Sequence, residues 1–258
     1  MIDTHCHIDN PAFNEDRLAV IQRAKEAGVK HLVVPGLTLQ RFTGLLDVAD
    51  TDIHLALGLH PLFLNQHPNN AIEQLYRWVN KVNPIAIGEI GLDFREPKQN
   101  HQKQQELFEA QLQLAKEKSI PVLIHAVKAH DKVITTLKKT KLQFGGIIHS
   151  FNGSLQQAEK YITMGFLLGF GGVVTHNRAT KIQKIAASVA DTALVLESDA
   201  PDLPPAGFIN RRNEPKNLPI VVETLAGLRG ISKAHIIKKT SSNAMKLLGI
   251  CNEWKWTV

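Results

Sequence analysis

Residues 121–149 read PVLIHAVKAHDKVITTLKKTKLQFGGIIH. Pro121-Val122-Leu123-Ile124-His125 is a short apolar run and reads as a buried strand. Residues 130–139 read as a helix, and Gly146-Ile147-Ile148-His149 as a second buried strand. Parallel strands need a crossover to join them, and a helix between two apolar runs supplies it, so this stretch predicts a parallel sheet. Both strands end in a histidine.

The same unit repeats in both directions. Toward the N-terminus, apolar strands at 85–89, 53–58 and 31–36 are followed by helices at 99–118, 70–82 and 41–50. In the helix over 70–82, Ile72, Leu75 and Val79 share one face. The chain opens on Met1-Ile2-Asp3-Thr4-His5-Cys6-His7-Ile8-Asp9, whose beginning reads as a strand, followed by a helix over 14–27 that Gly28 stops. Toward the C-terminus, a helix at 155–164 leads to a strand at 166–170. A helix at 179–189 then leads to a strand at 193–199, and helices at 218–228 and 234–248 complete the chain. Eight strand–helix units in 258 residues predict a single α/β domain over 1–258, closed as a (β/α)8 TIM barrel rather than left as an open sheet. The proline-rich stretch over 201–219 is long enough to form a rim of the pocket.

Composition agrees with one folded body. The chain is 43% hydrophobic and 21% charged, which excludes a disordered chain and a disulfide scaffold. No apolar run reaches the roughly 18 residues that span a membrane, and no signal-type leader opens the sequence, so a cytoplasmic protein is expected. Cys6 and Cys251 are far apart and lack metal-type spacing, so both are expected as reduced or buried thiols. The net charge of +6 suits an anionic substrate, but the basic residues are scattered, as on an ordinary solvated surface.

The polar residues carry more. Side chains alternate along a strand, so His5 and His7 converge on one side while Cys6 faces the other. His5, His7, His60, Glu89, His125, His149 and Asp199 all fall at or just beyond the C-terminal ends of predicted strands, the face on which barrels of this kind build their active sites. Singly, His125 and His149 read equally as hydrogen-bonded core residues, Glu89 as a rim ion pair and Asp199 as a cap before Pro201. Jointly, they point to metal ligation, because imidazole is a good ligand and unpaired buried carboxylates are costly. A single catalytic zinc usually takes three protein ligands, so this set suits a dinuclear centre in which one carboxylate bridges the ions and another takes a proton from an activated water.

The motifs His5-Cys6-His7-Ile8-Asp9, Gly58-Leu59-His60-Pro61, Gly88-Glu89-Ile90-Gly91-Leu92-Asp93, His149-Ser150-Phe151-Asn152-Gly153, Glu197-Ser198-Asp199-Ala200-Pro201 and Arg212-Asn213-Glu214-Pro215, in this order with the strand over 121–125, resemble the TatD family of metal-dependent hydrolases, nearest its YjjV-type branch. The resemblance runs from the first strand to the last helices. It implies an amidohydrolase-like barrel with two divalent cations (zinc, manganese or magnesium) and phosphodiesterase activity on DNA. It also implies that His5, His7, Glu89 and Asp199 hold one ion, that Glu89, His125 and His149 hold the other, and that Asp199 orients or deprotonates the attacking water. His60 would face the substrate phosphate or leaving group. Arg212 would either contact a phosphate or order its own loop. Two departures stand out: Val127, followed by Lys128, occupies the place of a basic residue common in the family, and Ser198 replaces a threonine.

DNA or a smaller nucleotide phosphodiester is therefore the expected substrate, with no obligate protein partner. The rival readings are an amidohydrolase-type enzyme acting on a small ester, lactone or amide, and a non-catalytic metal- or nucleic-acid-binding protein. Gly169, Gly171 and Gly172 lack the Gly-Lys-Ser/Thr ending of a phosphate loop and read as a turn after the seventh strand. The remaining histidines read as packing or surface residues, and Trp254 and Trp256 as anchors of the C-terminal tail.

Overall fold

Strand pairing follows chain order. β1 (Ile2–Asp3), β2 (His31–Pro35), β3 (Ile53–Leu57), β4 (Ala86–Asp93), β5 (Val122–Val127), β6 (Gly146–Ile148), β7 (Phe166–Phe170) and β8 (Leu194–Leu196) form one eight-stranded sheet among the described residues. Every neighbouring pair is parallel. Backbone bonds from Thr4 N to Leu196 O and from Asp199 N to His5 O, both 2.9 Å, bring the last strand back to the first and complete the ring. This computed structural model describes residues 1–95 and 97–250. The readings of Cys251, Trp254 and Trp256 lie outside the described residues.

The helices pack around the ring: α1 (Arg17–Glu26), α2 (Phe42–Val48), α3 (Ala71–Val82), α4 (Lys98–Lys118), α5 (His130–Thr140), α6 (Leu155–Thr163), α7 (Thr180–Ser188), α8 (Leu218–Arg229) and α9 (Lys233–Leu248). The eight-unit barrel expected from the alternation is therefore present. Elements differ at their ends. The helix expected from residue 14 begins at Arg17, because Pro11–Phe13 forms a 3-10 turn whose Ala12 N–H is capped by the Asn10 side chain at 2.9 Å. β4 runs four residues past Glu89, to Asp93, and pairs with β5 across a register shift between Ile87 and Ile90. Gly91 makes that pairing possible: its φ is +143°, and a Cβ there would stand 2.0 Å from the His125 carbonyl oxygen. β8 stops at Leu196, which leaves Glu197, Ser198 and Asp199 in the loop above it.

Two apolar layers hold the fold. The larger lies between strands and helices and includes Phe13, Phe42, Leu75, Phe108, Leu112 and Phe170. The smaller fills the lower half of the barrel with Ile2, Val33, Ala56, Ala86, Leu123, Ile147 and Val195, and Ala244 and Leu248 of α9 cover it from beneath. Truncating a fully buried member such as Leu123 to alanine would cost about 2–5 kcal/mol. With the bottom filled and covered, polar side chains gather at the opposite end, where the strands finish. No helix among the described residues is long and apolar enough to cross a membrane.

Candidate active site

Asp3 stitches the first and last strands together. Its Oδ1 accepts from His5 N (3.2 Å) and Ser198 N (2.9 Å), while His7 N donates to Ala200 O at 2.8 Å. Burial pushes the Asp3 carboxyl up to about 7. These bonds hold His5 and His7 beside Asp199, whose backbone is left-handed at φ +56°. His5 and His7 converge, their Nε2 atoms 3.3 Å apart, and Cys6 is fully buried.

Glu89, 2% exposed, is the hub. Its Oε1 lies 3.0 Å from His125 Nδ1 and 3.3 Å from His60 Nε2, and its Oε2 lies 3.2 Å from His5 Nε2 and 3.8 Å from His7 Nε2. Asp199 Oδ1 lies 3.5 Å from His149 Nε2, 3.8 Å from His7 Nε2 and 3.9 Å from His5 Nε2. The rings of His5 and His149 stack with centroids 3.5 Å apart. Among the described residues three overlapping groups result, each with donor atoms within 4.8 Å of one another: His5, His7 and Asp199; His5, Glu89 and His149; His60, Glu89 and His125. Burial alone would raise the Glu89 carboxyl, but the histidines around it hold it well below the usual carboxylate range. Burial likewise opposes the ionised form of Asp199, and His149, His5 and His7 together outweigh it, so that carboxyl also stays low. Crowded imidazole nitrogens around two ionised carboxylates, one of them buried, form a donor set that fits divalent cations, since bound ions would supply the positive charge this cluster otherwise takes from protonated histidines.

His60 behaves differently from the other histidines. Its Nδ1 accepts from Leu62 N at 3.2 Å, so in the neutral ring the proton sits on Nε2, aimed at Glu89. Burial lowers this histidine to about 4, so it is neutral near pH 7. Both nitrogens are thus committed, one to the backbone and one as a donor, which fits a hydrogen-bond donor better than a metal ligand. Arg212 is placed outside the cluster. Its guanidinium donates to Ala12 O and bidentately to Asp16, all at 2.7 Å, reaches Glu214 at 3.2 Å, and lies over the Phe13 ring. Its donors are engaged in joining the loop after β8 to the start of α1.

Two buried carboxylates to which sequence reasoning assigns no role touch the ligand set. Asp93 Oδ2 lies 3.0 Å from His125 Nε2, and Glu197 Oε2 lies 3.2 Å from His149 Nδ1. Both are visible in the sequence as acids at the end of a strand or just past one, but which ring nitrogen they meet depends on register. Gly169, expected in a turn, lies within β7, where a Cβ would stand 2.1 Å from Glu197 Oε2. Several remaining histidines hold backbone or side chains: His67 contacts His60 O (3.1 Å), His176 contacts Pro204 O (2.9 Å), and His130 bridges Tyr161 and Asn152 (3.1 Å each).

The family profile described as TatD related DNase matches residues 2–249. The metal-dependent hydrolase YjjV of Escherichia coli K12 is 38% identical over 253 residues, covering 96% of this chain and 98% of its own. Its crystal structure superposes with a TM-score of 0.92 at 37% identity over 96% of this chain and 97% of that one. The 3'-5' ssDNA/RNA exonuclease TatD of Pantoea ananatis is 32% identical over 260 residues, covering 97% of this chain and 100% of its own. With the barrel, the histidine–carboxylate cluster at its mouth and a family match along nearly the whole chain, this protein belongs to the TatD family of metal-dependent hydrolases.

Proposed function

We propose that the protein is a phosphodiesterase acting on DNA, or on a smaller nucleotide, at a dinuclear divalent-cation centre. The observation that carries this reading is the division of Glu89, with Oε1 turned to His125 and Oε2 turned to His5 and His7. A carboxylate placed between two sets of nitrogens is suited to bridge two ions. His5, His7, Glu89 and Asp199 would hold one, and Glu89, His125 and His149 the other. Zinc, manganese or magnesium bound there would lower the pKa of a water and offset charge growing on the phosphate oxygens.

The chain's own groups do the rest. The Asp199 side chain is 14% exposed against 3% for Glu89, so Asp199 is the carboxylate that meets solvent in the mouth; it holds the attacking water and accepts its proton. His60, neutral with its Nε2 proton turned to Glu89, would offer that proton to the phosphate or leaving oxygen once bound cations engage Glu89. Arg212, engaged by Asp16 and Glu214, serves loop order rather than phosphate binding in this reading. The relative named as a ssDNA/RNA exonuclease supports nucleic acid as the substrate class.

The test is hydrolysis of end-labelled single-stranded DNA by metal-stripped protein reloaded separately with magnesium, manganese or zinc. Metal-dependent shortening is expected. Absence of shortening with every ion, in protein that binds two ions per chain, would refute the nuclease reading and direct the search to small esters, lactones and amides.

A further inference from the structure

Two glutamines on one face of α4 each clasp a single residue of the barrel mouth by its N–H and its C=O. Gln104 and Gln111 stand two helical turns apart, and both are fully buried. Gln111 Oε1 accepts from Leu59 N at 2.7 Å, and its Nε2 donates to Leu59 O at 3.1 Å. Gln104 does the same at the end of β4, its Oε1 accepting from Asp93 N at 2.8 Å and its Nε2 donating to Asp93 O at 3.0 Å. A carboxamide carries an acceptor and a donor side by side, as a peptide does, so each side chain stands in for a neighbouring strand.

The strands use that help where they part. The pairing of β3 with β4 covers Ala56–Leu57 and Ala86–Ile87, after which Glu89 N donates to Gly36 O, beyond β2. Phe94 N donates to Val127 O, so the N–H and C=O of Asp93, one residue earlier, point away from β5. Buried backbone groups need partners, and α4 supplies them.

Leu59, fully buried, immediately precedes His60. The His60 N–H donates to Leu37 O at 3.0 Å, its carbonyl meets His67 Nε2 at 3.1 Å, and its ring takes Leu62 N at 3.2 Å. Those three holds come from loops; the Gln111 clasp ties the preceding peptide to a 21-residue helix of the outer ring. A ring aimed at Glu89 across 3.3 Å has little room for movement of that peptide. We infer, on the reading that His60 donates to the phosphate or leaving oxygen, that Gln111 is a positioning residue for the reaction: its grip on Leu59 sets where the His60 ring stands in the mouth. Gln104 serves the end of β4 and not His60.

The experiment combines nitrogen NMR of histidine-labelled protein with kcat and KM for end-labelled single-stranded DNA. His60→Ala identifies the His60 signals by their loss and lowers kcat by about 10²–10³-fold. Gln111→Met keeps the length of the side chain but removes both hydrogen bonds. It moves the His60 ring signals and lowers kcat about 10–100-fold with KM within about twofold, yet adds less than about twofold to His60→Ala. Gln104→Met leaves the His60 signals in place, and its cost persists in the His60→Ala background. Should Gln111→Met not fold, Gln111→Asn, which draws the amide back by one carbon, shows the same pattern with a smaller loss. Unaltered His60 signals in the folded Gln111 variant, or an equal loss of kcat with and without His60, overturns this inference alone. Full kcat in His60→Ala removes the role of His60 and this inference with it. Protein that binds metal but does not cut DNA removes the nuclease reading, and the His60 signals then decide the positioning.

Discussion

Asp16 and Glu214, between the loop after β8 and the start of α1, and Glu89 and Asp199, inside the barrel mouth, are two pairs of carboxylates in contrasting company. The outer pair is met by Arg23, Arg212 and Lys216 at 2.7–3.2 Å. The inner pair is met by histidines. Guanidinium and ammonium groups are permanently charged near neutral pH, so the outer cluster is neutralised by the protein itself and can serve only structure. Imidazoles can be protonated or bare, so the inner cluster takes its positive charge from protons or from bound cations.

Removing the inner acid that faces solvent gives the largest expected effect. Asp199→Asn should lower single-turnover hydrolysis of DNA by about 10²–10⁴-fold. It should also lower the melting temperature of the metal-free protein, because His149, His5 and His7 hold this carboxylate in its ionised form and that attraction is lost; a variant that keeps full activity would break the contrast at its centre. Next comes the cation itself. At a free concentration of 100 times Kd, each ion would stabilise the fold by about 2.7 kcal/mol, so chelation should lower Tm by roughly 5–10 °C per ion, read by calorimetry.

pH should separate the clusters further. Protonated His125 and His149 are favoured in the metal-free fold: burial opposes the charge, but Asp93 and Glu89 raise the first, and Glu197 and Asp199 raise the second well above the ordinary histidine range. A raised folded pKa means that the stabilisation is complete below the unfolded value of about 6.5 and fades as pH climbs through the folded values. Metal-free protein should therefore lose Tm as pH rises from 6 toward the alkaline range, and zinc-loaded protein should lose less. The outer acids titrate in the opposite sense. Hydrogen bonds from Arg212 and Arg23 depress Asp16, and Arg23, Lys216 and Arg212 outweigh burial to depress Glu214. Their contribution is complete above about pH 4 and lost as pH falls through the depressed values. The smallest effect belongs to Arg212→Ala: Tm should drop by no more than about 4 °C, with KM for DNA within about twofold, and a large rise in KM would move Arg212 to the substrate.

How much of this could be read before the structure depends on the kind of signal. Apolar runs separated by amphipathic helices made the barrel legible, because burial imposes that pattern on the sequence directly. The convergence of His5 and His7 was legible from strand alternation, although the pairing of β1 with β2 ends at Asp3 and the two histidines lie in the segment beyond it. Glu89 was legible as a strand-end acid, but the continuation of its strand to Asp93 was not, because the register shift beside Gly91 has no periodic signature. Glu197 and Gly169 were legible only as residues; their complementarity, a carboxylate seated where a side chain is missing on the neighbouring strand, exists only once β7 and β8 pair.

The apolar floor has a consequence for traffic. Leu123, Ile147 and Val195 fill the ring from below, and Ala244 and Leu248 pack against them, so among the described residues the barrel is a cup that opens where its strands finish. Whatever reaches Glu89 and Asp199 arrives and departs by that opening. For a polymer this forbids passage through the ring: a strand must either dip one end into the cup or lie across its lip, and its fragments must back out before the next stretch can enter.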